Sequence, residues 1–221
     1  MGTMNLRARI AAPVAIGTAT VSGLGLAIEL VHLGSHADAV ERLVAFFSLS
    51  YEQNLPTWYA SSLLLSCAGL LVAIGNDARE RDRRFALAWL VLGAGFAAMS
   101  LDEASELHED LYGIVDGGDL IYFDWVIPAG LAVVAIAAAF VPFLRALPAP
   151  RRRDVLVAGA LYLGGALFME LPLGWWTAGY GADSAGYALI DWIEETLELV
   201  GASWFLLVLA ARWDEREEAA P

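Results

Sequence analysis

Two stretches of the chain carry three carboxylates at the same spacing. Asp102-Glu103-Ala104-Ser105-Glu106-Leu107-His108-Glu109 and Asp191-Trp192-Ile193-Glu194-Glu195-Thr196-Leu197-Glu198 both read D-x-x-x-E-x-x-E. On a helix the three positions fall within about a 60° arc, so Asp102, Glu106 and Glu109 form one acidic stripe, and Asp191, Glu195 and Glu198 another. Glu29 and His32 put a carboxylate and an imidazole at i, i+3 on one helix face, with His36 a turn further on if the helix persists. Glu170 sits in an apolar run, after Ala166-Leu167-Phe168-Met169 and before Leu171-Pro172.

Carboxylates and imidazoles in this number suit a divalent metal ion. Neighbouring carboxylates cannot all ionise in a low dielectric without a counter-charge. The solutions are shared protons, histidine partners, water or a bound cation. With hard oxygens in excess and only His32, His36 and His108 as nitrogen donors, the cation would be Ca²⁺, Mn²⁺, Mg²⁺, Fe or Zn²⁺. The expected ligands are Glu29, His32, Asp102, Glu106, Glu170, Asp191, Glu195 and Glu198. If the protein is an enzyme, the metal would activate water or a small, lipid-soluble substrate, with Glu109 or Glu194 accepting the proton. The E-x-x-H spacing is also that of carboxylate-bridged di-metal bundles, but those need a second such pair and this chain has none.

The elements that must position these groups are transmembrane helices. The chain has 221 residues, 58% of them hydrophobic and 18% charged, a composition outside the soluble range. Six apolar runs near the roughly 20 residues needed to cross a bilayer lie at about 10–33, 55–75, 85–108, 124–145, 155–175 and 186–211. The expectation is one all-α domain over 1–221, a six-helix polytopic protein of the cell membrane whose first run is a retained span. The runs Gly23-Leu24-Gly25 and Gly164-Gly165-Ala166 would let helices approach closely.

Twelve of the 13 bases, all arginine, fall before the first run, between the second and third, between the fourth and fifth, or after the sixth. The positive-inside rule then puts both termini in the cytoplasm and the segments 34–54, 109–123 and 176–185 outside. Eighteen of the 26 acids lie towards that outer side, against Arg42 alone. Counting from the nearest cytoplasmic arginine, Glu29 is 20 residues away, Asp102 is 18, and Glu170 and Glu195 are each 17. At 1.5 Å per residue these are all roughly 25–30 Å, one layer at the outer edge of the hydrocarbon.

Plainer readings stand beside these. Glu103, Glu109 and Asp110 read as solvated residues of a helix that has left the membrane, His36 as a loop histidine, and Glu170 as a protonated acid bonded to a neighbouring helix. Glu52 and Asn54 before Pro56, and Asp124 before the fourth run, read as helix caps. The run Val40 to Phe47, which includes Glu41 and Arg42, is apolar on one side and reads as a short interfacial helix.

Absences narrow the chemistry. The chain has no lysine, hence no Schiff base and no P-loop lysine, and a net charge of −13 is at odds with nucleic-acid binding. Cys67 is its one cysteine, so there is no internal disulfide. Two rival classes use the same acids. A proton- or cation-coupled transporter or channel would use them as a relay, but would also need polar inner halves, and those of spans one, two and four are almost wholly apolar. A membrane scaffold subunit would offer its acidic outer face to a basic partner.

Overall fold

The computed structural model describes residues 5–81, 83–107, 122–123 and 125–218. All regular structure among them is helical: α1 Leu6–His32, α2 Asp38–Phe47, α3 Leu55–Glu80, α4 Ala86–Ser105, α5 Val126–Ala146, α6 Ala149–Leu163, a π-helical segment Gly164–Met169, α7 Glu170–Tyr180 and α8 Ala185–Glu218. Among the described residues, five helices are long and apolar enough to cross a membrane: α1, α3, α4, α5 and the 32-residue rod Ala149–Tyr180 made by α6, the π segment and α7. The chain is an all-α, polytopic membrane protein. Its sixth expected run lies within α8, the long helix most interrupted by acids, which carries Asp191, Glu194, Glu195 and Glu198 near its start.

Helix α8, 34 residues and roughly 50 Å long, is the spine. It packs against α1, α3, α6, the π segment and α7. Its buried residues Leu199, Ala202, Leu206 and Leu209 recur at steps of three and four. On α3, Leu64, Cys67, Leu71, Ile74 and Ala78 recur in the same way. Two such seams meet as a coiled coil does, and they form the dry centre of the molecule. Cys67 and Leu71 are fully buried there.

Short polar bridges pin the bundle. Thr18 on α1 shares hydrogen bonds with Ser203 on α8 at 2.6 Å and with Tyr59 on α3 at 2.9 Å. At the arginine-rich end, Asp214 accepts from the backbone N–H groups of Leu6 and Arg7 at 2.8 and 3.0 Å, so the end of α8 caps the start of α1. Asp77 on α3 pairs there with Arg81 at 2.8 Å and Arg216 at 3.6 Å.

The outward surface is apolar where a soluble protein would be polar. Ile16, Leu87, Leu131, Val134 and Phe168 are each more than 60% exposed, spread over α1, α4, α5 and the π segment. Only lipid accommodates such a girdle, so the bilayer is this protein's solvent. On α5 a single residue, Phe143, is buried, set edge-on to Trp89 and Phe85.

Element ends follow local chemistry. Asn54 caps α3, its side chain accepting from Thr57 N–H at 3.1 Å, with Pro56 in the first turn where a missing N–H costs nothing. The expected cap at Asp124 lies outside the described residues. Helix α4 stops at Ser105 rather than near 108, because Glu106 adopts a left-handed backbone with φ 58°. The acidic stripe expected on that helix is therefore cut after Asp102, and His108 and Glu109 also fall outside the described residues. The α2 run is helical as its pattern suggests, with Val44 buried and Leu43 and Phe46 exposed.

Candidate metal centre

Helix α1 ends at His32, and the chain turns through residues 33–37 before α2 begins. That turn swings His36 back so that its ring meets the His32 ring edge-on, with centroids 5.0 Å apart. Glu41, one turn into α2, reaches both: its Oε1 is 3.1 Å from His32 Nε2 and 3.5 Å from His36 Nδ1. One ligand atom from each of the three residues lies within 4.8 Å of the others, close enough to hold a metal ion. Two imidazole nitrogens and one carboxylate form a donor set that suits Zn²⁺ or Fe²⁺ and leaves coordination positions open. The His36 side chain is 75% exposed and Glu41 47%, against 24% for His32, so the centre opens to the surface.

Glu29 stands behind it. Its Oε2 is 4.0 Å from His32 Nδ1, and its Oε1 accepts from the hydroxyl of buried Ser48. Ser50 donates its backbone N–H to Ser48 Oγ at 3.1 Å and its hydroxyl to Asp191. The connection between α2 and α3 thus dips into the bundle and ties α1 to α8. Leu49 makes this fit by seating against Gly25, where any Cβ would lie 2.9 Å from Leu49 Cγ. Gly23 meets nothing, so only one glycine of that pair serves close packing.

Beyond Ser50 lies a second group of acids. Asp191, Glu194, Glu195 and Glu198 occupy two turns of α8. Glu170, the first residue of α7, lies within range of the charges of Asp191, Glu194 and Glu198, with the Trp125 indole against its carboxylate. Glu103 reaches the same space from α4 and interacts with Glu195 and Glu198. The Tyr162 hydroxyl lies beside the Glu198 carboxylate. Among the described residues no arginine or histidine forms an ion pair with these six acids.

The residues expected as one site are thus divided. Glu29 and His32 stand at the surface centre, whereas Glu170, Asp191, Glu195 and Glu198 belong to a separate cluster of acids together with Glu194. Asp102 neighbours Glu103 at its edge. Glu106 turns aside, accepting from Gln53 Nε2 at 2.7 Å. Residues that the stripe argument passed over complete both groups. His36 and Glu41 belong to different elements, so no helical spacing links them. Glu103 lies 100° around the helix from Asp102, and only the packing of α4 selects which of the two faces inward.

Fold and ligand set together define a class, a multi-span helical membrane protein with a surface His₂-Glu cluster able to coordinate a metal. Residues 11–213 match a family described as a domain of unknown function (DUF8692), and the chain belongs to that family. No curated protein and no solved structure matches the chain.

Proposed function

We propose that the protein is a six-pass membrane protein that binds a divalent transition cation at its extracytoplasmic face, on His32, His36 and Glu41 with Glu29 behind. The observation that carries this is the convergence of three ligand atoms from two helices and a turn within 4.8 Å. Taking α8 as the sixth span puts both termini in the cytoplasm, in accord with the twelve arginines on that side. The exposed Leu43 and Phe46 suit α2 to the lipid interface beside the metal, where a lipid-soluble substrate would reach it.

One-sided binding is favoured over transport. Below the Thr18–Ser203 bridge the bundle is closed by Leu64, Leu71, Leu206 and Leu209 around the fully buried Cys67 thiol, which donates to the Ala202 carbonyl at 3.7 Å, so the described residues offer no chain of ligands for a cation leaving the other way. Zn²⁺ is the probe. Detergent-purified protein dialysed against micromolar Zn²⁺ retains about one ion at this centre by elemental analysis, and His32→Ala/His36→Ala loses it. Equal retention by wild type and double variant refutes the reading.

A further inference from the structure

The arginine-rich end of the bundle holds a groove that the metal centre does not use. Helices α1 and α6 both pack along α8 but scarcely touch each other, so a face of α8 is left open between them. Trp204, Leu207, Val208 and Ala211 recur on that face at steps of three and four, roughly opposite the buried seam of Ala202, Leu206 and Leu209. They floor a cavity of about 600 Å³. Trp204 is 44% exposed although it belongs to the spine of the molecule. From Trp204 to Glu215 the groove follows α8 for roughly 16 Å, about half the thickness of a hydrocarbon core and so the depth of one leaflet.

Its outer end is charged. Arg7 from α1 and Arg151 from α6 line it there, beside Asp154 and Glu215. Both acids already have arginine partners: Arg151 Nη2 donates to Glu215, and Arg153 Nη2 is 3.1 Å from Asp154. Arg7 has no ion pair among the described residues, and the Asp214 carboxylate next to it is taken up by the backbone N–H groups of Leu6 and Arg7. No side chain caps the start of α6, so the positive end of that helix dipole lies at the same corner. The mouth is thus left with surplus positive charge at the end of an apolar floor.

We infer that this groove binds an anionic phospholipid, with one acyl chain along Trp204, Leu207 and Val208 and the headgroup phosphate on Arg7 and Arg151. Basic pockets between helices at the membrane surface suit such headgroups, and guanidinium groups match phosphate oxygens in shape as well as charge. A free phosphate would gain nothing from the apolar stripe, and a zwitterionic lipid would bring a further cation to the arginines. The bound lipid ties α1 to α6, which the protein joins chiefly through α8.

The test uses the full chain, delipidated in a neutral detergent, with phosphatidylglycerol as the probe and native mass spectrometry as the readout. Wild type should retain one phosphatidylglycerol per chain in preference to phosphatidylcholine. Arg7→Gln should weaken that retention about fivefold, and Ala211→Phe, which fills the groove and leaves both arginines in place, should abolish it. Equal retention of the two lipids overturns the proposal, as does an Arg7→Gln variant that binds like wild type or a folded Ala211→Phe variant that still binds. Arg7 is exposed, so Arg7→Gln decides alone should Ala211→Phe not fold. The Tm of wild type should rise by about 5–10 °C at a hundredfold excess of phosphatidylglycerol over Kd. An equal rise with inorganic phosphate would assign the site to a free anion, and conversion of a dimer to a monomer by Ala211→Phe would assign the groove to a second copy of the chain, each of which overturns the lipid.

Discussion

Gly164 and Gly165 are adjacent, equally small and both in the π segment, yet their substitution should act in opposite directions. A Cβ on Gly165 would meet the Glu194 carbonyl oxygen at 2.5 Å, Glu198 Cγ at 2.7 Å and Glu198 N at 3.2 Å. Two of these are backbone atoms of the spine helix and cannot rotate away. Overpacking of this kind costs about 1–3 kcal/mol, and in a chain of this length each kcal/mol moves Tm by about 2–4 °C. Gly165→Ala should therefore lower Tm by roughly 2–12 °C. A Cβ on Gly164 meets nothing within 4 Å, and its backbone is already right-handed helical, φ −65° and ψ −40°. Alanine there removes only unfolded-chain freedom, so Gly164→Ala should be neutral or raise stability by up to about 1 kcal/mol. Thermal unfolding of the two variants in the same detergent, followed by intrinsic tryptophan fluorescence, gives the comparison. Equal effects, or a larger loss for Gly164→Ala, would refute the close seating of the rod on α8.

Three further outcomes follow from the same packing. Thr18→Val leaves the buried Ser203 hydroxyl without its Thr18 partner, while the Tyr59 hydroxyl keeps the Val14 carbonyl, and should cost about 1–3 kcal/mol, read as a lower melting temperature. Asp214→Ala removes the acceptor for two N–H groups at the start of α1 and should cost about 0.5–2 kcal/mol, read as faster hydrogen exchange at Leu6 and Arg7 before any change elsewhere. Because Cys67 is fully buried, the native chain should be silent to maleimide, which makes single cysteines clean reporters. Ala37→Cys should label from outside intact cells and Arg83→Cys only after permeabilisation, and the reverse pattern would invert the proposed orientation.

Much of the architecture was legible because membrane helices are constrained in one dimension. An apolar run of about 20 residues has few alternatives in lipid, and α1, α3, α4 and α5 lie where those runs lie. The Asn54-Leu55-Pro56 start of α3 was readable for a local reason, since the capping bond needs only neighbours in the chain. The end of α4 was not, because nothing in Ser105-Glu106-Leu107 announces a left-handed residue. Gln53 also has positive φ, and its side chain meets Glu106 across the gap between α4 and the α2–α3 connection. That contact joins segments 53 residues apart, beyond any periodicity argument.

Depth in the membrane and rotation about the helix axis are different variables. The constant rise of 1.5 Å per residue let the sequence alone assign Glu29, Glu170 and Glu195 to similar heights, and with them an acid-rich end opposite an arginine-rich one. Which acids meet depends on azimuth, and azimuth is settled by packing: a π segment before Glu170, Gly165 against α8, Glu103 turned inward on α4, and a turn after His32 that brings His36 and Glu41 together. A rotation of one residue moves a side chain 100° around a helix while shifting it by only 1.5 Å along the axis. Spacing along the chain carries the second and is blind to the first, which is why the sequence could suggest a common height for these acids, whereas the grouping of His32, His36 and Glu41 apart from the acids of α8 belonged to the tertiary structure.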